Sequence, residues 1–320
     1  MRSAANLTAA LMTCMLFVVQ QCFGDVPVAI SGIYLDDGGN VPDVNELKTY
    51  GINEVHLFVN GNQLPSQCPT KSESFVYENG WTATLVDLTL DKFTKANLHV
   101  AITLSPRCIT QAFIDSLSKP MGPMAILKKY QNADVELDLE GNWKESAKGP
   151  TGMNGEDAAV LLAKLVRKEL PPPHRLLVTT NKLHMRDHAK FLMLADVISP
   201  QVYDDASLGP EEAEAALKQF STAYPKKVII AGLSIQCDAE TQYLAGKCSE
   251  VNYQVAELLY ASMQACNPVQ YPGIFIWGSH ELREVCVDKN DVCSYFGKKR
   301  LATNAANPPS TSCNRNLAHP

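Results

Sequence analysis

Three acids stand at alternate positions in the short run VELDLEG (135–141): Glu136, Asp138 and Glu140, separated by Leu137 and Leu139. An extended strand turns successive side chains to opposite faces, so these carboxylates share one face while Val135, Leu137 and Leu139 share the other. The apolar face suits a strand covered by helices, as in a parallel barrel, and the acids then look inward into a crowded, low-dielectric interior. An acidic edge strand facing water is the competing reading, and the apolar flanks and lack of a hairpin signal count against it. Like charges a few ångströms apart do not all stay ionised, so at least one carboxyl is expected to hold a proton near neutrality, as a general acid must. Glu140 lies nearest the C-terminal end of the strand and is the candidate for that part.

Elements able to position such a strand run along the whole chain. Eight short β-branched runs alternate with helical patterns: 28–34, 54–60, 98–105, 134–140, 175–181, 196–203, 227–233 and 273–279. That alternation marks parallel strands joined by crossover helices, and eight strands close a barrel. Apolar residues at three- and four-residue spacing predict helices over 155–170, 211–224 and 251–265. The first is stopped by Pro171 to Pro173, and the second opens after Pro210 with acidic residues suited to a helix N-terminus. The long connection from Gly61 to Asn97 leaves 63–81 for a loop or hairpin at the barrel mouth. An open doubly wound sheet is the alternative, but no glycine-rich phosphate loop follows the first strand. The expected fold is a single (β/α)8 barrel over 25–300 with a disulfide-containing periphery.

The ends read differently. Residues 1–24 begin with Arg2, continue apolar from Ala9 to Val19 and reach small residues near Gly24, the layout of a secretory signal peptide. Its removal would leave eight cysteines, Cys68, Cys108, Cys237, Cys248, Cys266, Cys286, Cys293 and Cys313, an even number for an oxidising compartment. Their pairing is open; Cys237 with Cys248 and Cys286 with Cys293 are the shortest loops to close. From Ala302 the chain is rich in Asn, Pro and Ser, so 301–320 is expected to be a flexible tail. Among 320 residues, 46% are apolar and 19% charged, which is enough for a large core and too apolar for a disordered chain. A net charge of -6 without a Lys/Arg run argues against nucleic acid as a partner. Beyond the signal, no stretch nears the roughly 20 apolar residues of a membrane span.

With its last two acids, the fourth strand resembles the DxxDxDxE signature of glycoside hydrolase family 18, in its class III chitinase-like form. Asp138 and Glu140 match the final pair, while Glu136 stands where the middle Asp is expected and Ala133 where the first is. SPQVYDD (199–205) resembles the QxY segment of the sixth strand, giving Gln201 and Tyr203, and GIFIWGS (273–279) resembles the eighth strand, whose Trp277 would lie under the sugar. The third strand departs, ending in LSPRC (104–108).

The resemblance implies a substrate-assisted retaining mechanism, an exception to the two-carboxylate scheme. Glu140 would be the general acid, Asp138 would orient the acetamido group, and Tyr203 would bond to its carbonyl oxygen. Glu136 would tune Asp138 through a shared proton. Gln201, Trp277 and, more weakly, Tyr34, Asn181 and Asp204 would contact substrate. No metal or organic cofactor is implied. The expected protein is a secreted monomer hydrolysing β-1,4-linked N-acetylglucosamine glycans, with no membrane contact once the signal is cleaved. The alternative is a non-catalytic carbohydrate-binding or inhibitor protein on the same barrel, raised by Glu136 and Ala133. An ordinary two-carboxylate glycosidase would need a second acid, for which Asp204 is the nominee.

Overall fold

The computed structural model describes residues 30–49, 52–60, 74–106, 109–139, 155–181, 189–202, 210–234 and 273–277. All ten cysteines, the signal-like segment, the 251–265 helix and the tail lie outside them. The strands are β1 (Ile30–Leu35), β2 (Glu54–Asn60), β3 (His99–Leu104), β4 (Ala133–Asp138), β5 (Leu176–Asn181), β6 (Val197–Gln201), β7 and β8 (Gly273–Trp277). Strand β7 comes in two pieces, Val228–Ile229 and Ala231–Ser234. Each strand pairs in parallel with the next, and β8 returns to β1 through Ile30 opposite Gly273 and Ile33 opposite Ile276. The sheet is a closed eight-stranded parallel barrel with helices between strands, a (β/α)8 fold. Each expected strand coincides with one of these to within two residues at its described ends.

Helices form where the apolar spacing is helical. They are α1 (Val44–Thr49), α2 (Ala83–Lys95), α3 (Gln111–Leu117), α4 (Pro123–Leu127), α5 (Gly155–Glu169), α6 (Ala189–Leu192) and α7 (Pro210–Ala223). In α2 the Thr82 hydroxyl caps the first turn by accepting from the Leu85 amide at 3.1 Å, and Val86, Leu90 and Phe93 form the buried stripe. Helix α5 opens on Glu156 and Asp157, closes on Arg167 and Lys168, and buries Ala158, Leu162 and Val166. Outward-facing strand residues such as Val55, Val100, Val135 and Val178 meet these stripes in one continuous core.

Connections above the C-terminal strand ends are tied to one another. The Glu78 amide donates to the Val59 carbonyl and the Gly38 amide to that of Asn79, both at 2.9 Å. Of the segment expected as a mouth loop, 61–73 lies outside the described residues. Trp81, just ahead of α2, is 3% exposed and belongs to the main core.

The closing seam between β1 and β8 is tight. A Cβ built on Gly273 would lie 2.6 Å from the Ile30 carbonyl carbon, so a side chain there must push two paired strands apart. Gly273→Ala is expected to lower unfolding stability by about 1–3 kcal/mol in urea titration. Leu88→Ala, at a residue 62% exposed on α2, should stay within about 0.5 kcal/mol.

Candidate active site

Alternation along each strand decides what fills the barrel. Strand β4 sends Val135, Leu137 and Leu139 into the outer core and turns Asp134, Glu136 and Asp138 inward. Inward positions of the even strands stack in tiers: Glu54, His56 and Phe58 on β2; Asp134, Glu136 and Asp138 on β4; Ser199 and Gln201 on β6; Phe275 and Trp277 on β8. Each strand thereby delivers its last inward residue to the C-terminal mouth.

At that mouth, Asp138 is 5% exposed, and Gln201 and Trp277 are half-buried. The Trp277 ring stands edge-on to Phe58 with centroids 5.1 Å apart and tilts over Tyr34 at 5.3 Å. Asn181 ends β5 opposite Gln201 in the strand register. Asp138, Asn181, Gln201 and Trp277 thus stand at the C-terminal ends of four strands. Glu140, Tyr203 and Asp204 lie outside the described residues.

Below Asp138, Glu136 is fully buried and its oxygens are engaged on every side. Tyr34 donates to Oε1 at 2.6 Å, and the Thr179 hydroxyl also donates to Oε1. The Thr103 hydroxyl donates to Oε2 at 2.7 Å, and His56 Nδ1 lies 2.8 Å from the same oxygen. Four partners fill the acceptor sites of a carboxylate. Tyr34 is 3% exposed, so its phenol braces Glu136 inside the lumen.

Burial opposes charge on both members of the central pair, but the pairing outweighs it. Burial pulls the His56 pKa down, and the adjacent Glu136 carboxylate together with Glu54 raises it to about 9. Burial likewise pushes Glu136 up, and the His56 charge, its hydrogen bond and those of Thr179 and Tyr34 bring it below the usual carboxylate value. The expectation of a protonated acid therefore does not apply to Glu136, because a cation sits beside it. Glu54, buried and 3.4 Å from His56 Nε2, is lowered to about 2 despite its desolvation by His56, Arg175 and His99.

A second ionic group closes the N-terminal end of the barrel. Arg175 bonds to Asp134 through Nε at 2.6 Å and to Glu54 through a terminal nitrogen at 2.9 Å, while His99 pairs with Asp134. Acid and base thus alternate from Arg175 through Glu54 and His56 to Glu136. Sequence reading had not picked out Glu54, His56, Thr103, Arg175 and Thr179. The same alternation rule applied to EVHLFVN, LHVAITLS and RLLVTTN turns them inward, but does not say which meets which. Among the described residues no cluster of His, Cys, Asp or Glu is arranged to hold a metal, and no helix is long and apolar enough to cross a membrane.

This geometry can be set beside known proteins. Solved structures with the same barrel include a chitinase from Rhizomucor miehei, 12% identical, with a TM-score of 0.54 over 78% of this chain and 95% of that one. The likeness is one of fold. A protein of Streptomyces coelicolor provisionally assigned as chitinase A is 12% identical, with a TM-score of 0.51 over 85% and 99%. An endo-β-mannanase/endo-β-glucanase of Prevotella bryantii is 11% identical at 0.51, over 80% of this chain and 46% of that one. The resemblance to glycoside hydrolase family 18 is consistent with these neighbours. No family model and no curated protein sequence matches the chain.

The central pair carries a pH signature. His56, raised from 6.5 to about 9, contributes stability that is complete below about pH 6.5 and is lost as the pH rises through 9. Glu136, lowered from 4.5, contributes above that value and loses it as the pH falls further. Urea midpoints should therefore peak between about pH 4.5 and 6.5 and decline toward pH 9, with the alkaline decline reduced in the double variant His56→Gln/Glu136→Gln. Glu136→Gln alone removes the nearer of the two carboxylates flanking the buried His56 cation and should cost about 3–5 kcal/mol near pH 6.

Proposed function

We propose that this chain is an exported glycoside hydrolase that cleaves β-1,4-linked N-acetylglucosamine glycans, chitin or a related polymer. The observation that carries this reading is the set of residues at the strand ends. A nearly buried carboxylate, Asp138, shares one barrel mouth with an amide, Gln201, and a half-buried indole, Trp277. The shared fold with a chitinase and other carbohydrate-active barrels agrees with it.

In this reading Glu140, two residues beyond Asp138 on the same alternation, gives its proton to the glycosidic oxygen. The acetamido carbonyl of the sugar attacks the anomeric carbon and forms an oxazolinium ion, which water then opens. Asp138 orients the acetamide and stabilises its developing positive charge. Tyr203 donates to the acetamide oxygen, Gln201 holds the sugar, and Trp277 stacks on its apolar C–H face. Export follows from the signal-like 1–24 segment, and N-terminal sequencing of the secreted protein should find a start near Asp25.

Purified mature protein should release fluorophore from chito-oligosaccharide substrates, and Glu140→Gln should lose at least about 100-fold in kcat. Binding by both proteins without release would replace hydrolysis with a lectin or inhibitor role. If neither binds nor cleaves, the substrate assignment fails. Trp277→Ala should raise KM about tenfold with a smaller change in kcat, as expected when a stacking surface is lost.

A further inference from the structure

Resting on the reading of Asp138 and Glu140 as the reacting pair, we propose that His56 is a positioning residue that sets the charge of this site. Locked as a buried cation between Glu54 and Glu136, it holds Glu136 as a permanent anion and cancels that anion's field on Asp138. Glu136 has no acceptor site left with which to exchange a proton through the cycle: Tyr34 and Thr179 occupy Oε1, and Thr103 and His56 occupy Oε2. Asp138 is two residues along the same strand face, about 7 Å away by strand geometry. An uncompensated Glu136 at that range would raise the proton affinity of Asp138 by about one to two pH units.

His56 is built to stay where it is. Its ring packs against Phe275 at 4.1 Å between centroids and against Tyr34 at 4.7 Å, and it is fully buried. Gly32 leaves space for both rings: a Cβ there would clash with the Phe275 ring and lie 3.2 Å from His56 Nε2. Every charged or titratable group around it has its own place. Tyr34 stands on β1 and Glu54 on β2 itself. His99 lies on β3, Asp134, Glu136 and Asp138 on β4, and Arg175 just ahead of β5. Arg175 binds Glu54 and Asp134, so Glu136 has His56 as its cationic neighbour at 2.8 Å.

The test is the acidic limb of the kcat/KM–pH profile on chito-oligosaccharides, which reports the Asp138–Glu136 pair as a unit. His56→Gln should move that limb upward by about one to two pH units. His56→Gln/Glu136→Gln removes both charges, avoids a stranded buried anion and should bring the limb back to within about half a unit of the parent. A purely structural role for His56 would lower the rate at all pH values without moving the limb, and that result overturns the proposal. So does a double variant that keeps the shifted limb. A 13C NMR titration of the Asp138 carboxyl reads the same shift without turnover. A shift there in a parent that cleaves nothing upholds the charge-setting role and sinks the hydrolase reading. No shift in an active parent does the reverse.

Discussion

Burying a carboxylate at the centre of a barrel is costly unless its charge and all its acceptor sites are met, and the interior of this protein is arranged around meeting those of Glu136. The partners come from four other strands: Tyr34 on β1, His56 on β2, Thr103 on β3 and Thr179 on β5. Each must be in register to within a few tenths of an ångström for the carboxylate to be satisfied. The same contacts that satisfy Glu136 therefore hold five neighbouring strands in place at their midpoints. A hydrophobic residue of equal volume would fill the space without specifying the register so closely.

This requirement divides the lumen in two. From β1 to β5 the interior is polar, running from Arg175, Glu54 and Asp134 at one end through His56 and Glu136 to Asp138 at the other. From β6 to β8 its lower tier is apolar, with Val197, Ile230 and Phe275 packed beside Leu177 of β5, and Ser199 and Gln201 of β6 lie above them. Small residues make the division possible. Gly32 on the polar side admits the rings of Phe275 and His56, and Gly232 on β7 leaves its inward space to Ser199. The candidate site lies where the two halves meet, with Asp138 above the charged column and Trp277 above the aromatic one. An enzyme acting on a sugar needs that combination, since a pyranose presents an apolar face to a ring and polar groups to acids and amides.

Fold and function rest on different grounds here. The closed barrel is explicit in the strand pairing, and solved structures sharing it act on more than one glycan. The same scaffold hosts many reactions, so what distinguishes this chain must be sought in its own mouth residues. Glu136 is longer by one methylene than the aspartate of the family signature it resembles. Here that length is used to reach the histidine and hydroxyls of the lumen, which makes it part of the support beneath the site.

Alternation and periodicity are local properties, and the sequence by itself therefore determined the eight strands, the helices Gly155–Glu169 and Pro210–Ala223, and the inward face of Asp134, Glu136 and Asp138. Those features depend on residues two, three or four apart. The ionisation of the acids was not legible in the same way, because it depends on neighbours brought from positions 34, 56, 103 and 179. The expectation that at least one acid holds a proton followed from like charges on one strand, and it could not include a cation from another. Barrel closure and register alone place His56 against Glu136 and Arg175 between Asp134 and Glu54. The chain determines which side chains point inward; the tertiary structure decides which of them meet, because buried charge is settled by contacts across the lumen.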